Sequence, residues 1–443
     1  MHNIFERQYY KFTSFLSNIG KKIPNNLITA SFVVLPSLLY LIRSWQYIRV
    51  PQLYAEDGSV WLANAYNSGA KSILAPYAGF AHTSERIFAY LVSMLPLQIA
   101  PILFNMAGFG LFILMCYYLF SFRTKIFTNN YQKIFMALSL GLLANFNEFF
   151  FNFSNSIFLL GIVGLSIYLI TPSKYRLVNL IEKLLFILAC LTLPFAWFYL
   201  LIIGFEWFWR KKYNLFFLIS SVIGSIIQVL VHLFSAYSRP NIPLTTITSS
   251  RYTVIEIYNQ IVTPAFRHAR IDISPTIPDK HFFVLLIFCS LLALTSIIIL
   301  IKDASSKIKY LAIFLLLFTG ASLIGALAGG NFSPTDALKF MSTATYGNRY
   351  FFYGILFMTI VIAIATDTYI KKKAKYLFLI MFMIFGVFTA LQYNSLRVNK
   401  NFYNYSSIYK RDVTILNQSR AHTLIQIPEN PGNTWFINLS TKK

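Results

Sequence analysis

Two adjacent carboxylates, Glu56 and Asp57, open the stretch YAEDGSVWLANAYNSGAKSILAPYAGFAHTSERIFAY, Tyr54 to Tyr90. Neighbouring carboxylates repel, so one of them holds its proton to higher pH or the two share a cation. A general base needs the first property and a metal site the second. The same stretch adds Lys71, His82, Glu85 and Arg86. Two solvated loop acids would look the same locally, so the surrounding chain has to decide.

Further along, Glu148 stands beside the apolar string FFFNF, where a carboxylate is costly unless partnered. Asn152 and Asn155 follow it. Arg251, Arg267, His268 and Arg270 lie in a later polar stretch, and Asn348, Arg349 and Tyr350 in a third. Arg349 directly precedes an apolar run. An arginine there binds a phosphate through its planar fork or snorkels to the lipid headgroups. His232 sits inside an apolar run and reads as a packed side chain. Cys116, Cys190 and Cys289 are far apart in apolar runs, with no metal or disulfide spacing. There is no HExxH, GxGxxG or P-loop string, which argues against ATP-driven transport and against direct use of a nucleotide-sugar donor. A divalent metal stays open as a cofactor.

The elements that must position these groups are membrane helices. Of 443 residues, 56% are apolar and 12% charged, with 44 Phe and 28 Tyr. That excludes an ordinary soluble domain. Repeated apolar runs of about 20 residues identify an all-α polytopic membrane protein. The net charge of +23 falls mostly in short loops between runs, so the positive-inside rule explains it and nucleic acid need not be invoked. Residues 1–26 are basic and should stay in the cytoplasm, with no cleavable signal peptide.

The runs place nine spans: Leu27–Ile48, Ile99–Phe120, Ile134–Phe151, Ser156–Ile170, Leu215–Ala236, Phe282–Ile301, Tyr310–Ala328, Tyr350–Ala365 and Tyr376–Leu391. Ile87–Leu97 reads as an interfacial helix. Leu184–Trp209 has basic flanks on both sides and Pro194 inside. Too short for two spans, it reads as a re-entrant element or two half-helices bent at the proline. The expected organisation is a transmembrane domain, 1–392, with external loops 49–98, 237–280 and 329–349, and an external tail, 393–443. In the tail, Thr423–Leu439 should form short strands around a Pro-Gly turn. The N-terminus is expected in the cytoplasm and the C-terminus in the periplasm, in a bacterial inner membrane.

A first span followed by an external acidic pair resembles the GT-C superfamily of polyprenol-phosphate-sugar glycosyltransferases. The string AEDG…PYAGF…ER is similar to a bacterial branch with the pattern EDG…PYAGY…PR. The likeness extends to NEFFFNFSNSIF, LPFAWFYL, GNRYFF and IPENPGNTW, short patches in the same order over most of the chain. Glu85 stands where that branch has proline. The nine-span layout also resembles the phage-type serotype-converting O-antigen glucosyltransferases. The resemblance implies a GT-C-like fold and transfer of a sugar, glucose among the candidates, from a polyprenyl-phosphate donor to a glycan such as the O-antigen of lipopolysaccharide. Asp57 would be the base, with Glu56 beside it. Arg86, His82, Glu148, Asn155, His268, Arg349 and Tyr350 would bind substrates. Rival readings are a polysaccharide polymerase, a flippase or other transporter of lipid-linked glycans, and a structural membrane subunit. Transporters place ionisable groups near the midplane and often carry inverted repeats, and neither is visible in the sequence.

Overall fold

The computed structural model describes residues 25–143, 149, 151–211, 214–235, 254–255, 257–262, 264–265, 278–329, 348–371, 374–387, 404–419, 424–429 and 435–440. The chain is mostly helical. Helices α1 (Asn25–Arg43), α2 (Thr83–Ser93), α3 (Ala100–Phe120), α4 (Asn130–Leu142) and α5 (Phe153–Leu169) come first. Then follow α6 (Arg176–Thr192), α7 (Phe195–Arg210), α8 (Leu215–Phe234), α9 (Asp279–Asp303), α10 (Ser306–Gly329) and α11 (Phe352–Tyr369). The chain continues with α12 (Ala374–Val387), α13 (Ser406–Gln418), and strands β1 (Leu424–Glu429) and β2 (Trp435–Ser440).

Among the described residues, four helices are long and apolar enough to cross a bilayer: Leu97–Phe120, Leu215–Phe234, Asp279–Asp303 and Phe352–Tyr369. The bent pair α6–α7 makes up to five. The shorter apolar helices are Thr29–Arg43, Phe153–Leu169 and Ala374–Val387. Exposed side chains on α8 and α9 are largely Leu, Ile, Val and Phe, a surface that lipid tolerates and water does not. By contrast α11 is apolar all round and buried along most of its length, which is how a helix without a polar face sits at the centre of a bundle. It packs against α4, α9 and α10, while α3 packs on α5 and α1 on both α3 and α4.

The bundle has two polar ends. At one, Arg123 holds Glu182 through two hydrogen bonds of 2.7 and 3.0 Å. There Lys307 Nζ donates to the carbonyls of Thr124 and Leu169, and Lys375 pairs with Asp367. At the other end lie the start of α3, the end of α4 and the start of α5. Arg43 caps the last carbonyls of α4, donating to Gly141 O and Leu143 O at 2.9 and 2.8 Å, orphan acceptors that every helix end leaves.

Helices α6 and α7 meet at a 117° bend beside Pro194. The element begins at Arg176, eight residues before the expected Leu184, because Glu182 is neutralised by Arg123 and no longer terminates the helix. The start of α6 and the end of α7 both lie at the Arg123 end, where Glu206 accepts from Tyr168. The bend lies at the other end, with Thr192 O accepting from His82 N at 3.1 Å.

The helix expected over Ile87–Leu97 is found as α2, running from Thr83 to Ser93. The tail forms the expected strands, antiparallel with Glu429 opposite Trp435; the Pro-Gly turn lies outside the described residues. The tail is not a detached extension. Ile427, Ile437 and Leu439 are fully buried in a second small core with Trp61, Leu62, Ala89 and Phe104. Most of the expected loops 237–280 and 329–349 lies outside the described residues.

Candidate active site

Four segments converge on Asp57. The first is its own, a π-helical turn, Asp57–Leu62, that runs into a short helix, Ala63–Ser68. Such turns are rare and recur at functional sites.

The second is the start of α5. Asn152 caps this helix, its Oδ1 accepting from Asn155 N at 2.9 Å. Asp57 takes the remaining orphan donors: Oδ2 accepts from Phe153 N at 3.1 Å, and Oδ1 from Ser154 N at 2.8 Å and Ser154 Oγ at 2.6 Å. A carboxylate at a helix N-terminus also meets the positive end of the helix dipole. The loop before α5 is held by Tyr40, whose hydroxyl donates to Phe149 O and accepts from Phe151 N, both at 2.8 Å. Asn105 on α3 donates to Phe151 O and Gln52 O. Gly108 lets this loop cross α3, because a Cβ there would sit 2.4 Å from Asn152 O.

The third segment carries Tyr77 and the N-terminal turn of α2. His82 Nδ1 lies 2.6 Å from Glu85 Oε1, and Ser84 Oγ donates to Glu85 Oε2 at 2.5 Å. Arg86 is 1% exposed and stacks on the Trp61 ring, 4.7 Å from its centroid. Its Nε and Nη1 are buried without a hydrogen-bond partner. The indole Nε1 of Trp61 donates to Ser154 Oγ at 2.8 Å. One indole therefore separates the acid, reached through Ser154, from the cation. Glu85, standing in place of a proline, is buried and takes up the hydrogen bonds of His82 and Ser84, so the helix turn is intact.

The fourth segment is β1. Glu429 Oε1 accepts from Ser59 N at 2.7 Å.

Electrostatics set these acids apart from loop carboxylates. Burial pushes Asp57 up to about 7, although the bonds from Ser154 and Phe153 pull the other way and the charge of Glu56 adds to the rise. Desolvation outweighs the helix terminus. Burial likewise raises Glu429 well above the usual carboxylate range, with Asp57 and Glu56 contributing. Burial lowers Arg86 to about 10, against the charge of Glu85. Strained backbone flanks the site: Ala55, His82 and Phe151 all have φ near 50°, a left-handed conformation that costs about 1–3 kcal/mol for a residue with a side chain.

Glu56 and Asp57 are not two solvated loop acids. Asp57 is completely buried and Glu56 half-buried, because α5 and the tail hairpin close over the turn that carries them. Glu56 Oε1 lies 3.5 Å from Tyr77 Oη. Among the described residues no three of His, Cys, Asp or Glu converge as a metal would require, so Glu56 and Asp57 have no third ligand there.

Of the other expected residues, His82 and Arg86 join Asp57 around Trp61. Asn155 is buried in the first turn of α5, with its backbone in the cap. Arg349 lies over the ring of Tyr350, which packs on Phe158, one turn past Ser154 on α5. Glu148 and His268 lie outside the described residues, as do Arg251 and Arg267. Residues that sequence reasoning missed are Trp61, Ser154 and Glu429. The only signals were the AEDGSVW, NFSNS and IPENPG strings, which carry no side-chain chemistry until the fold joins them.

A cavity of about 390 Å³ opens at the opposite end of α5, lined by Tyr168, Glu182, Lys183, Glu206 and Asn214. Its acids are already occupied by Arg123 and Tyr168, and it is remote from the Asp57 network. No family model matches the chain, and no curated protein or solved structure matches it either.

Proposed function

We propose that the chain is a GT-C-type inverting glycosyltransferase of the bacterial inner membrane. It moves a sugar, glucose among the candidates, from a polyprenyl-phosphate donor to a cell-surface glycan such as O-antigen. The nine-span layout, with α6–α7 as the re-entrant element, an N-terminus in the cytoplasm and a site on the periplasmic face, belongs to the same proposal. The observation that carries it is that Trp61 links both groups: its Nε1 donates to Ser154, which binds the buried Asp57 carboxyl, raised to about 7, and its ring carries the buried Arg86 guanidinium, whose Nε and Nη1 have no partner.

The reaction needs those two properties. An acceptor hydroxyl is a poor nucleophile until a base takes its proton, and a base works best with a pKa near the ambient pH. Asp57 takes that proton as the hydroxyl oxygen bonds to the anomeric carbon. The bond from that carbon to the phosphate oxygen breaks on the opposite face, so the configuration inverts. The polyprenyl phosphate leaves with an added negative charge, which Arg86 offsets in a site of low dielectric. Its planar fork, held flat on Trp61, suits phosphate oxygens. Glycosyl-transfer chemistry is favoured over transport because the buried acid and the buried cation both sit at one end of the bundle.

The test is reconstitution of the full chain in vesicles with undecaprenyl-phosphate glucose, and glycan from a strain lacking the gene as acceptor. Transfer should occur with inversion at the anomeric carbon, read by NMR of the product. Product with retained configuration would refute the base role of Asp57.

A further inference from the structure

The proposed reaction does not use Glu429, yet the fold goes to some length to bury it. Its Oε1 is fixed by Ser59 N, while Oε2 is buried with no hydrogen-bond partner. An ionised carboxylate in that position would leave a charged oxygen unsatisfied, at a cost far above that of a neutral group. Space has been cleared for it as well. A Cβ on Gly58 would fall 2.2 Å from Glu429 Oε2 and 2.7 Å from Ile437, so the acid lies directly on the backbone next to Asp57. The hairpin around it is docked, with Ile427, Ile437 and Leu439 fully buried. Its outer edge is pinned by Asn67, which donates to Asn438 O at 2.9 Å and accepts from Ser440 N at 3.0 Å. With the hairpin in place Asp57 has no solvent exposure. A substrate therefore reaches Asp57 only when something moves, and the hairpin is the part of its cover that lies outside the helix bundle.

We propose that the C-terminal hairpin β1–β2 is a proton-dependent cover over the Asp57 site, latched by Glu429 in its neutral form. This inference goes beyond the glycosyl-transfer proposal and does not depend on it.

Among the described residues, the charges that act on Glu429 push one way: Asp57 and Glu56, on the turn beneath it, repel its ionised form. Tyr409, on α13, is raised by burial first and by Glu429 second. Glu429 thus binds its proton more tightly with the hairpin docked than released, where an unperturbed Glu titrates near 4.3. Docking is at full strength below about 4.3. Above that value its equilibrium constant falls about tenfold per pH unit until the docked group itself ionises. Rising pH opens the cover, and the same rise ionises Asp57.

The test is hydrogen–deuterium exchange on the full chain in lipid nanodiscs from pH 5 to pH 8, corrected for the intrinsic rise of exchange with pH. Amides of 424–429 and 435–440 should lose protection by at least about tenfold, while those of α11 stay constant. In Glu429→Gln the amide keeps an oxygen for Ser59 N and cannot ionise, so hairpin protection should fall far less than in the wild type over the same range, the remainder coming from ionisation of Asp57 beneath it. The wild-type series stands by itself: hairpin protection that does not change with pH overturns the proposal, whatever the variant does. So does a Glu429→Gln hairpin that loses protection with pH as the wild type does, or that is unprotected throughout.

Discussion

Ser154→Ala isolates the tuning of Asp57 from its presence. The serine hydroxyl donates to Asp57 Oδ1 at 2.6 Å and is the first of the interactions that hold the carboxyl down. A hydrogen bond to a charged group contributes about 1.5–3 kcal/mol, and 1.36 kcal/mol corresponds to one pKa unit. Losing it should raise Asp57 from about 7 by roughly one to two units. At pH 7 the ionised, basic fraction then falls from about half to roughly 1–10%, a loss of about 5- to 50-fold in rate for a reaction that needs the anion. At pH 9 most of that loss should be recovered, because Asp57 is again ionised. The assay is the pH dependence of glycosyl transfer in reconstituted vesicles, comparing the alkaline plateaux as well as the rates at pH 7. Ser154 also accepts from Trp61 Nε1, so a small fall in the plateau is expected. A rising limb at the same pH in variant and wild type would refute the assignment of Asp57 as the base, as would an equal loss at every pH.

Asp57→Asn should lose about 100- to 10,000-fold in transfer. Its amide turns two donors toward Phe153 N or Ser154 N, so it should also cost about 1–3 kcal/mol in stability, read as earlier thermal unfolding of a protein that still inserts. Arg86→Lys keeps the charge but loses the stack and the fork, so it should weaken donor use at least tenfold, as a raised donor KM. Gly58→Ala forces a methyl into Glu429 and Ile437, so hairpin amides should exchange freely at every pH. Glu182→Gln strips the partner from Arg123 in a pair whose side chains are 12% and 5% exposed. That should cost about 3–5 kcal/mol, seen in thermal inactivation, with transfer per folded molecule unchanged.

The helical membrane character and the bend at Pro194 were legible in the sequence, since run length, charge clusters and proline act locally. The acidic pair, His82 and Arg86 stood out in the sequence because ionised groups are scarce in such a chain. Burial of Asp57 was not legible. It depends on Asn152 starting α5 so that two N–H groups aim at a carboxylate 96 residues earlier, and no periodicity encodes that. Trp61 looked like one of many aromatics, and only its two contacts distinguish it. Ser154 was hidden inside a string read for its asparagines. The starts of α2 and α6 were misplaced because Glu85 and Glu182, which look like loop residues, are neutralised by partners distant in sequence or by the first turn of their own helix. Strands in the tail were foreseen, but their docking surface was not, because its partner is 370 residues away.

That separation has a consequence for biosynthesis. Glu429, which lies over the turn that carries Asp57, follows every described helix in the chain, so those helices are made before it exists. A nascent chain can insert, fold its bundle and seat Asp57 on α5 while the site still lacks one wall. Closing so long a loop is entropically slow, and it waits until Glu429 has been made. A chain cut short before β1 would therefore insert and persist, with its buried acid left open to water.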